Sequence, residues 1–572
     1  MRIRKIEILN FRCIKRFFWC PSDGLNCLIG PGDSGKSTVI DAIDYCLGAR
    51  RTAQFTDADF HNLDVDTPIS ITLTLGDLDD ALKNLDAYGL YLRSFDQETG
   101  RVEDEPEKDL ETVLTLNLKV ESDLEPVWSL LSDRATAQNA SRNLAWKDRI
   151  RSAPSRIGAL SSYNLGWRHG SVLNKLTDEK ADSAAALAYA ARQARRVFGE
   201  DAETQVEETL RIVSETSKEL GVDIGDKAHA QLDAHSVNFS SGTISLHNEN
   251  GVPLRGLGVG STRLLIAGLQ RKAFEKSSLL LVDEVEFGLE PHRIIRFLSS
   301  LGAKESETPF QVFMTTHSPV VFRELSGNQL YVLREREESH VVMPVGVKDG
   351  IQGTIRCFPE SFLASSVMVC EGASEVGLIR GLDLYLQSKG EQSIFAAGVS
   401  LVDASGVSKI MARAMAFQSL GYRVVVFRDD DEQPNLNQEQ SFERAGGTVV
   451  KWRQGEKLES EIFNSLSDLA IALLVDKAVD IHDYEFIDQH LKSASQNSVT
   501  LDMIPKSNES ASISKEHRRI LGIASSGKHN PWFKNVSAME EIGRYIIGPH
   551  VQSSDKEFKT RLNALFIWAR NA

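Results

Sequence analysis

The sequence of 572 residues is poor in cysteine, in long apolar runs and in net positive charge. Its six cysteines do not form the close pairs that zinc and redox motifs require, so we expect buried, reduced thiols. No stretch approaches the roughly 20 apolar residues of a membrane-spanning helix, and the first residues lack the apolar core of a secretory signal. These absences predict a cytoplasmic protein that has no membrane partner.

A formal net charge of −15 argues against a protein whose whole surface binds nucleic acid, because lysine and arginine must neutralise the phosphates. Any DNA contact must therefore come from local patches or from metal ions. One candidate patch is the segment 142–156, and the alternative interpretation is a solvated helix face. Its basic residues are Arg142, Lys147, Arg149, Arg151 and Arg156, against the single acid Asp148.

A glycine-rich loop near the start of the chain lies between a strand pattern at 24–29 and a helix pattern at 37–47. This order is the context of a P-loop, whose backbone N–H groups and helix N-terminus cradle phosphate. In such a loop the lysine reaches the β- and γ-phosphates and the following serine offers its hydroxyl to Mg²⁺. The sequence therefore predicts an ATP site made by Gly30, Gly32, Ser34, Gly35, Lys36, Ser37 and Thr38.

Two further motifs accompany the P-loop. The apolar strand pattern 279–282 ends in Asp283 and Glu284, which suits a magnesium-associated aspartate followed by a glutamate that polarises water. Another strand pattern at 311–314 runs into His317, which we predict to sense the γ-phosphate. We therefore predict ATP hydrolysis with Glu284 as the base.

About 245 residues separate the P-loop from this acidic strand. The spacing resembles the ABC-type ATPases of the SMC and RecF group, whose two lobes flank an insertion. Gly260 and Ser261 precede an apolar helix pattern at 264–274, where that group has the signature motif that contacts the nucleotide of a second subunit. The resemblance implies a homodimer or a higher homo-oligomer with ATP at the interface.

Beyond residue 362, short strand patterns alternate with helix patterns, which predicts a small parallel sheet. Carboxylates follow three of these strands, and the carboxyl ends of adjacent parallel strands converge on one crevice. Crowded carboxylates repel one another unless cations neutralise them, so we expect Mg²⁺ or Mn²⁺, with two ions suited to phosphodiester cleavage. The residues concerned are Glu371, Glu375, Asp403, Asp429 and Asp431. The alternative, a plain acidic turn at 429–432, does not account for Glu371-Gly372.

The pairing of Glu371-Gly372 with Asp429-x-Asp431 resembles the TOPRIM domain of topoisomerases, primases and nucleases. An ABC-type ATPase fused to a TOPRIM domain resembles the OLD (overcoming lysogenization defect) nuclease family, which includes the nuclease of the Gabija antiphage system. The resemblance implies metal-dependent DNA cleavage, an ATPase-mediated dimer and a role in antiphage defence. Partner proteins of a defence operon, such as a helicase or a reverse transcriptase with a non-coding RNA, are implied in the same way.

The resemblance also implies roles for individual residues. Glu371 matches the TOPRIM glutamate, a metal ligand or general acid/base, and Glu375 matches a second acid of OLD proteins. Asp429 and Asp431 match the Asp-x-Asp pair, although three consecutive aspartates leave the register open by one position. Asp403 is either a further ligand or a cap for the following helix.

A late acid and a lysine are also expected in the family. Glu459, with Glu461 beside it, is the candidate acid, and the alternative is a pair of exposed helix residues. Lys528 is the candidate for stabilising charge on the cleaved phosphate, and Lys534 is the alternative.

We therefore predict an α/β protein with an ABC-type, SMC/RecF-like ATPase domain, a helical insertion, a TOPRIM domain and a helical C-terminal region. The predicted bounds are 1–76 and 251–345 for the two ATPase lobes, 77–250 for a largely helical insertion that serves dimerisation, 362–480 for the TOPRIM domain and 481–572 for the region that completes the nuclease site. The alternative function is a RecF/SMC-like DNA-repair ATPase with a noncatalytic TOPRIM-like module. A topoisomerase would need a DNA-linking tyrosine in a separate domain, and none is evident.

Overall fold

A computed structural model describes most of the chain. The described residues are 1–158, 164–165, 171–176, 183–220, 222–230, 246–273, 278–306, 308, 310–508, 511–527 and 531–571. They form two compact units, the first made of Met1–Asn26 and Ser37–Thr316, the second of Cys27–Lys36 and His317–Ala572. The predicted ATPase lobes do not coincide with these units, since 27–36 and 317–345 cluster with the second. The reason is that the third strand of the chain pairs with a strand beginning at Leu330.

The described strands follow one another in this order: β1 (Arg2–Phe11), β2 (Ile14–Trp19), β3 (Leu25–Ile29), β4 (Ile69–Gly76), β5 (Leu92–Asp96), β6 (Arg101–Glu103), β7 (Glu111–Val120), β8 (Pro126–Leu131), β9 (Ser155–Ile157), β10 (Leu279–Val282), β11 (Gln311–Thr315), β12 (Leu330–Arg336), β13 (Ser339–Pro344), β14 (Ser366–Cys370), β15 (Val399–Asp403), β16 (Arg423–Arg428) and β17 (Thr448–Lys451). The predicted strands at 24–29, 279–282 and 311–314 are thereby confirmed.

The described helices are α1 (Lys36–Leu47), α2 (Leu85–Tyr88), α3 (Asp133–Ala137), α4 (Trp146–Ser152), α5 (Val172–Leu176), α6 (Ser183–Gln205), α7 (Glu207–Glu219), α8 (Val259–Lys272), α9 (Pro291–Ser300), α10 (Pro319–Glu324), α11 (Asp349–Cys357), α12 (Ala373–Ser388), α13 (Val407–Ser419), α14 (Leu436–Arg444), α15 (Leu458–Ser465), α16 (Asp468–His482), α17 (Tyr484–Ala494), α18 (Lys515–Ser525), α19 (Val536–Ile542), α20 (Gly548–His550) and α21 (Lys556–Arg570).

The first unit contains an antiparallel arrangement of strands in the order β6-β5-β7-β4-β1-β2, with β8 on β7. It also contains β10, which pairs in parallel with β11 on one side and β9 on the other. All four residues of β10 are buried, as expected for a parallel strand that is covered on both faces. This burial fixes the position at which Asp283 leaves the sheet.

The prediction of a largely helical insertion at 77–250 needs correction in its first part. Strands β5 to β8 occupy much of the segment 92–131, and β7 pairs with β4 over Ile69–Leu75. The β7 sequence ETVLTLNLKV is rich in β-branched residues and has a buried, apolar interior, which favours a strand over a helix. The later part of the segment is helical as predicted and contains α6 and α7.

The basic segment 142–156 turns its principal charges toward the protein. Arg149 is buried and donates hydrogen bonds to the carbonyls of Gly48 at 2.9 Å and Cys46 at 3.3 Å, at the end of α1. Arg156 forms ion pairs with Asp41 and Asp44 of α1. Because Arg149 is buried, the interpretation as a solvated helix face is wrong for this residue. The interpretation of the segment as a DNA-binding patch stays a prediction.

The second unit contains a four-stranded parallel sheet in the order β15-β14-β16-β17. The five residues of β14 are all buried, and α12 and α13 follow the first two strands as predicted. The C-terminal helices share one hydrophobic core with this sheet, from Met368 to Ala569. The region beyond residue 480 is therefore part of the same packed body as the sheet.

Helix α12 packs closely on α19 because two glycines face it. A Cβ atom on Gly377 would lie 2.6 Å from the carbonyl oxygen of Val536, and one on Gly381 would lie 2.2 Å from that of Glu540. Both distances are far below contact distance, so any side chain would separate the helices. This contact fixes α12, whose first turn carries Glu375.

The described cysteines are all free, but the expectation that they are buried holds for only half of them. Cys27, Cys46 and Cys370 are buried, whereas Cys13, Cys20 and Cys357 are exposed. Among the residues described above, no helix is both long enough and apolar enough to cross a membrane.

We predict that Gly381→Ala destabilises the protein by about 1–3 kcal/mol, because the added methyl group overpacks the α12–α19 contact. Gly353→Ala is the matched control, since Gly353 is an exposed residue of α11 and a Cβ atom added there would have no neighbour within 4 Å. That control should be neutral or stabilising by up to about 1 kcal/mol through helix propensity. Urea unfolding of the two variants would measure this, and equal midpoints would contradict the packing argument.

Candidate functional site

The P-loop adopts a conformation that depends on glycine. Gly30 has a φ of +137°, and a Cβ atom there would lie 2.6 Å from the carbonyl oxygen of Leu333. Gly35 also has a positive φ, of +87°. The ammonium group of Lys36 is nearly buried and donates to the carbonyl of Pro31 at 2.5 Å and to Ser34 Oγ at 3.2 Å. The loop thus holds its lysine over the concave backbone where phosphate would bind.

The predicted magnesium-associated pair, Ser37 and Asp283, is brought together in the first unit. Ser37 Oγ donates to Asp283 Oδ1 at 3.0 Å. Thr315, at the end of β11, donates its hydroxyl to the same oxygen at 2.6 Å and accepts the N–H of Glu284 at 2.9 Å. Sequence reasoning missed Thr315, although a hydroxyl residue at the end of the neighbouring strand was visible. Glu284 itself has a φ of +48°, a strained value for a side-chain-bearing residue, and is exposed.

Three other predicted nucleotide-site residues occupy defined positions. Thr38 lies in α1 with its hydroxyl 3.4 Å from the Cys13 sulfur. His317 is exposed and follows β11 by two residues. A Cβ atom added to Gly32 would have no neighbour within 4 Å, so packing does not require glycine there.

The signature-motif candidates lie in the first turn of α8. A Cβ atom on Gly260 would lie 2.0 Å from the carbonyl oxygen of Gly288, so the helix start approaches the loop after β10 very closely. Ser261 Oγ accepts a hydrogen bond from Arg293 at 3.0 Å. Arg263, which is fully buried in the same helix, donates to the carbonyls of Asp283 and Glu284. These contacts tie α8 to the loop that carries the acidic pair.

The second unit brings the predicted acids together at the carboxyl ends of β14 and β16. Glu371 follows β14, and its carboxylate accepts the N–H of Asp429 at 3.0 Å. Asp429 in turn accepts the N–H of Leu458 at 2.9 Å. Glu375 accepts the N–H of Gly372 at 2.9 Å, and Glu459 accepts the hydroxyl of Ser374 at 3.3 Å. Hydrogen bonds thus orient all four carboxylates, and those to Glu371, Asp429 and Glu459 come from residues far away in the sequence.

Burial and mutual repulsion govern the electrostatics of this acid cluster, by which we mean Glu371, Glu375, Asp429 and Glu459. Burial, followed by the charge of Glu459, raises the pKa of Glu375. Burial, followed by the charges of Glu375 and Glu371, raises the pKa of Asp429 strongly. The pKa values of Glu371 and Glu459 are also raised, mainly by burial. The cluster therefore resists full ionisation unless a cation compensates it.

The three consecutive aspartates divide into two groups. Asp430 faces Arg428 at 3.2 Å and Lys451 at 3.1 Å. Although burial alone would raise the pKa of Asp430, hydrogen bonds from Gln433 and Lys451 lower it below the usual range. Asp429 instead faces the acid cluster, and Asp431 contributes to the raised pKa values of both Glu371 and Asp429. This arrangement supports the register in which Asp429 and Asp431 form the pair.

Two of the sequence alternatives can be compared with the structure. Asp403 accepts the N–H of Ser405 at 2.6 Å in the turn after β15. The capping interpretation is wrong, because the N-cap of α13 is Gly406 and no side chain caps that helix. The role of Asp403 as a ligand stays a prediction. Glu459 and Glu461 are both buried, so the interpretation as exposed helix residues is wrong. Glu461 pairs with Arg453 at 2.9 Å, away from the acid cluster, which leaves Glu459 as the late acid.

The predicted lysine, Lys528, lies outside the described residues. Lys534 is exposed, and its charge lowers the pKa of Glu459 against the effect of burial. Lys457 forms an ion pair with Asp431 at 3.2 Å and was missed by sequence reasoning. The sequence signal was that Lys457 stands directly before Leu458-Glu459. Its ion pair with Asp431, however, depends on the turn that carries this aspartate, about 26 residues earlier in the chain.

The acid cluster suits a divalent cation in donor type and in charge. All of its members offer carboxylate oxygens, the ligands that Mg²⁺ and Mn²⁺ prefer, and burial raises the pKa of each of them. In the described part of the chain, no three His, Cys, Asp or Glu side chains already converge in a geometry that could hold a metal ion.

Comparison with known proteins finds two family matches, one in each part of the chain. Residues 25–323 match the family described as "AAA domain, putative AbiEii toxin, Type IV TA system". Residues 362–431 match the family described as "Overcoming lysogenization defect protein-like, TOPRIM domain". An ATPase domain is thus followed by an OLD-like TOPRIM domain.

Among curated relatives, the OLD nuclease of Thermus scotoductus is 22% identical over 470 residues, which cover 76% of this chain and 82% of that protein. The DNA replication and repair protein RecF of Chlorobium phaeobacteroides is 34% identical over 64 residues, 11% of this chain and 18% of that protein. The chain thus spans less than a fifth of the length of the RecF relative.

Solved structures of SMC heads are similar over a larger region. The SMC head domain from Thermotoga maritima covers 61% of this chain with 15% identity and a TM-score of 0.29. An SMC head bound to the C-terminal winged-helix domain of ScpA covers 60% with 14% identity and a TM-score of 0.32.

We predict opposite effects for substitutions at neighbouring aspartates. Asp429→Asn removes one of several buried like charges, so it should leave the protein as stable or more stable without metal and abolish stabilisation by Mn²⁺. Asp430→Asn removes a partner of the fully buried Arg428, so it should cost about 1–3 kcal/mol yet keep the Mn²⁺ response. Thermal unfolding with and without MnCl₂ measures both. An equal Mn²⁺ response of the two variants would contradict the assigned register.

Proposed function

The chain belongs to the AAA-domain family that residues 25–323 match and carries an OLD-like TOPRIM domain, and we propose that it is a metal-dependent DNA endonuclease regulated by its ATPase. The observation that carries the proposal is the acid cluster, in which Glu371 and Asp429 follow the adjacent parallel strands β14 and β16 while Glu375 and Glu459 come from α12 and α15. Burial raises the pKa of all four carboxylates, which costs stability, and a functional site accounts for that cost.

We assign the acid cluster and Asp431 as oxygen ligands, with Asp403 as a further candidate. Divalent metal ions bound there would activate water and neutralise charge on a phosphodiester. The chain itself positions these groups: the N–H of Asp429 orients Glu371, the N–H of Leu458 orients Asp429, and Ser374 orients Glu459. Glu371 also suits a general acid/base role, because burial raises its pKa above the usual range of a glutamate.

Positive charge for the departing phosphate oxygen would come from lysine. Lys457, held beside Asp431, and Lys534, whose charge is felt by Glu459, both border the acid cluster. Lys528 remains a candidate from sequence alone. A lysine here would stabilise charge that develops as the phosphodiester is cleaved.

We propose that the chain binds and hydrolyses ATP at its P-loop. Lys36 and the loop backbone would hold the phosphates, Ser37 and Asp283 would hold Mg²⁺, Glu284 would polarise water and His317 would sense the γ-phosphate. The hydrogen bond between Ser37 and Asp283 supports this assignment. Gly260 and Ser261, at the start of α8, would contact the nucleotide of a second subunit through backbone N–H and hydroxyl groups.

A homodimer is supported by exposed apolar side chains on the insertion. No residue of helix α7 is buried, and its Ile212 and Val213 are 50% and 45% exposed. On α6, Tyr189 is 60% exposed. Apolar residues in such number on neighbouring helices favour burial against another protein surface, and a second copy of the chain fits the proposed trans role of Ser261.

The biological role follows from the similarity to OLD proteins. We infer action on DNA in the cytoplasm and a part in antiphage defence, with operon-encoded partners such as a helicase or a reverse transcriptase with its RNA. The alternative of a RecF-like repair ATPase with a noncatalytic TOPRIM module has support from short matches only, the longer being 18% of the relative's length.

The nuclease proposal predicts that the purified protein nicks supercoiled plasmid in the presence of Mg²⁺ or Mn²⁺. Glu371→Ala should lower the rate at least about 100-fold, because it removes a group held at the centre of the acid cluster. Lys36→Ala should abolish any change in rate that ATP causes in the native protein, since the P-loop lysine is lost. Gel analysis of nicked and linear products measures both variants.

The control for this assay is Glu443→Ala, an exposed residue of α14 in the same unit, which should nick at the native rate. Failure of the native protein to nick under any metal and nucleotide condition would refute the nuclease proposal. Full activity of Glu371→Ala would refute the location of the site.

A further prediction separates the lysines around the turn at 429–431. Lys457→Ala should lower the nicking rate about 10- to 100-fold at saturating Mn²⁺, because its charge lies on the side of the acid cluster. Lys451→Ala is the matched control, since Lys451 pairs with Asp430 on the opposite side, and should stay within about threefold of the native rate. Equal losses in the two variants would argue against a role for Lys457.

A further inference from the structure

Strand β9 brings an arginine of the predicted insertion to the acidic end of β10. Arg156 lies opposite Leu281 in the parallel pairing of the two strands. Its Nη1 atom is 2.8 Å from Asp41 Oδ1 and 3.3 Å from Asp44 Oδ2, and its Nη2 atom is 3.6 Å from Asp283 Oδ2. One guanidinium group thus contacts the P-loop helix and the magnesium-associated aspartate at the same time.

The two oxygens of Asp283 have different surroundings. Oδ1 accepts the hydroxyls of Ser37 and Thr315, at 3.0 Å and 2.6 Å. Oδ2 faces Arg156. The hydroxyls fix one oxygen and the guanidinium group attracts the other, so the plane of the carboxylate is set by Arg156 as well as by Ser37 and Thr315.

Arg156 also separates three like charges. Asp41 and Asp44 are three residues apart and share one face of α1, and Asp283 lies across the guanidinium group from them. Other arginines help with two of these charges, since Arg12 pairs with Asp41 and Arg50 pairs with Asp44. Among the ion pairs of the described residues, Arg156 is the cation that pairs with Asp283.

The segment that carries Arg156 is attached to α1 at a second point. Arg149, which lies earlier in the segment in α4, donates to the carbonyls of Gly48 and Cys46 at the end of α1, and its guanidinium lies 4.4 Å from the centre of the Trp128 ring. With both ends of the segment fixed on α1, Arg156 has little freedom to leave Asp283. The geometry is that of a built support for the aspartate.

We propose that Arg156 is a positioning residue of the ATPase site, which orients Asp283 and neutralises the Asp41, Asp44 and Asp283 carboxylates so that Mg·ATP is turned over. Docking of the nucleotide on the P-loop does not depend on it, because Lys36 and the loop backbone make those contacts. The inference rests on the proposed ATPase activity and is independent of the nuclease activity.

The test compares Arg156→Ala, Arg156→Lys and the control Arg50→Ala in the full-length protein. Arg50 pairs with the same Asp44 but is not part of the ion pair with Asp283. For Arg156→Ala we expect kcat for ATP hydrolysis to fall about 10- to 100-fold, with KM changed less than about threefold. The reason is that a misoriented Asp283 slows turnover, whereas the P-loop still binds the nucleotide. Arg50→Ala should keep kcat within about twofold.

Thermal unfolding without nucleotide supplies a second readout. In Arg156→Ala three carboxylates lose their shared cation, so added Mg²⁺ should raise the melting temperature more than it does in the native protein. Arg156→Lys should return this Mg²⁺ response to the native size but restore kcat only in part, because an ammonium group cannot bridge three carboxylates in the guanidinium geometry.

Native kcat in Arg156→Ala, or equal losses in Arg156→Ala and Arg50→Ala, would overturn the proposal. If the native protein hydrolyses no ATP, the proposed ATPase activity fails by itself. The Mg²⁺ response of Arg156→Ala without nucleotide then decides the electrostatic role, and a response equal to that of the native protein would overturn it.

Discussion

In the second unit Glu375 and Glu459 are buried and Glu371 and Asp429 are half-buried, and the organisation of the unit follows from the cost of placing these carboxylates together. Burial raises the pKa of each of them, and neighbouring acids raise it further for Glu371, Glu375 and Asp429. A site of this kind persists only when rigid surroundings hold it in place. Here the parallel strands fix where the acids emerge, and backbone N–H groups fix how Glu371 and Asp429 turn.

The surroundings of the acid cluster are correspondingly stiff. Arg428 is fully buried and donates to the carbonyl of Asp429 at 2.6 Å, so the turn after β16 is held from its inner side. Gly377 and Gly381 bring α19 against α12, the helix that carries Glu375. The shared core with the C-terminal helices therefore contributes directly to the placement of the acids.

The first unit handles negative charge in another way. Asp41, Asp44 and Asp283 are partly exposed and lie around a permanent cation, Arg156, which spares them the mutual repulsion found in the acid cluster. A site with a built-in cation suits transient binding of a nucleotide with its own metal ion. A site with uncompensated carboxylates suits metal ions that bind to the protein itself.

Local patterns predicted the strands, the P-loop and the carboxylates at strand ends, because each depends on neighbours close in sequence. The fate of the basic segment 142–156 could not be predicted, since Arg149 and Arg156 find partners about 100 or more residues away. The ion pair between Lys457 and Asp431 could not be predicted either. Asp431 was a predicted ligand, but its pairing with Lys457 depends on how the chain turns between them. The strands at 92–131 were missed because they form by pairing with strands elsewhere, as β7 does with β4 about 40 residues earlier.

The register of the three aspartates shows where local and tertiary information meet. The three aspartates follow β16 in a bend, so the alternation of side chains along an extended strand does not by itself decide which of them face the acids. That choice is made by Arg428 and Lys451, which capture Asp430, and by Leu458, whose N–H captures Asp429. Arg428, directly before the three aspartates, is therefore a local signal for the register in this chain. It pairs with Asp430, two positions later, and leaves the flanking Asp429 and Asp431 for the opposite side.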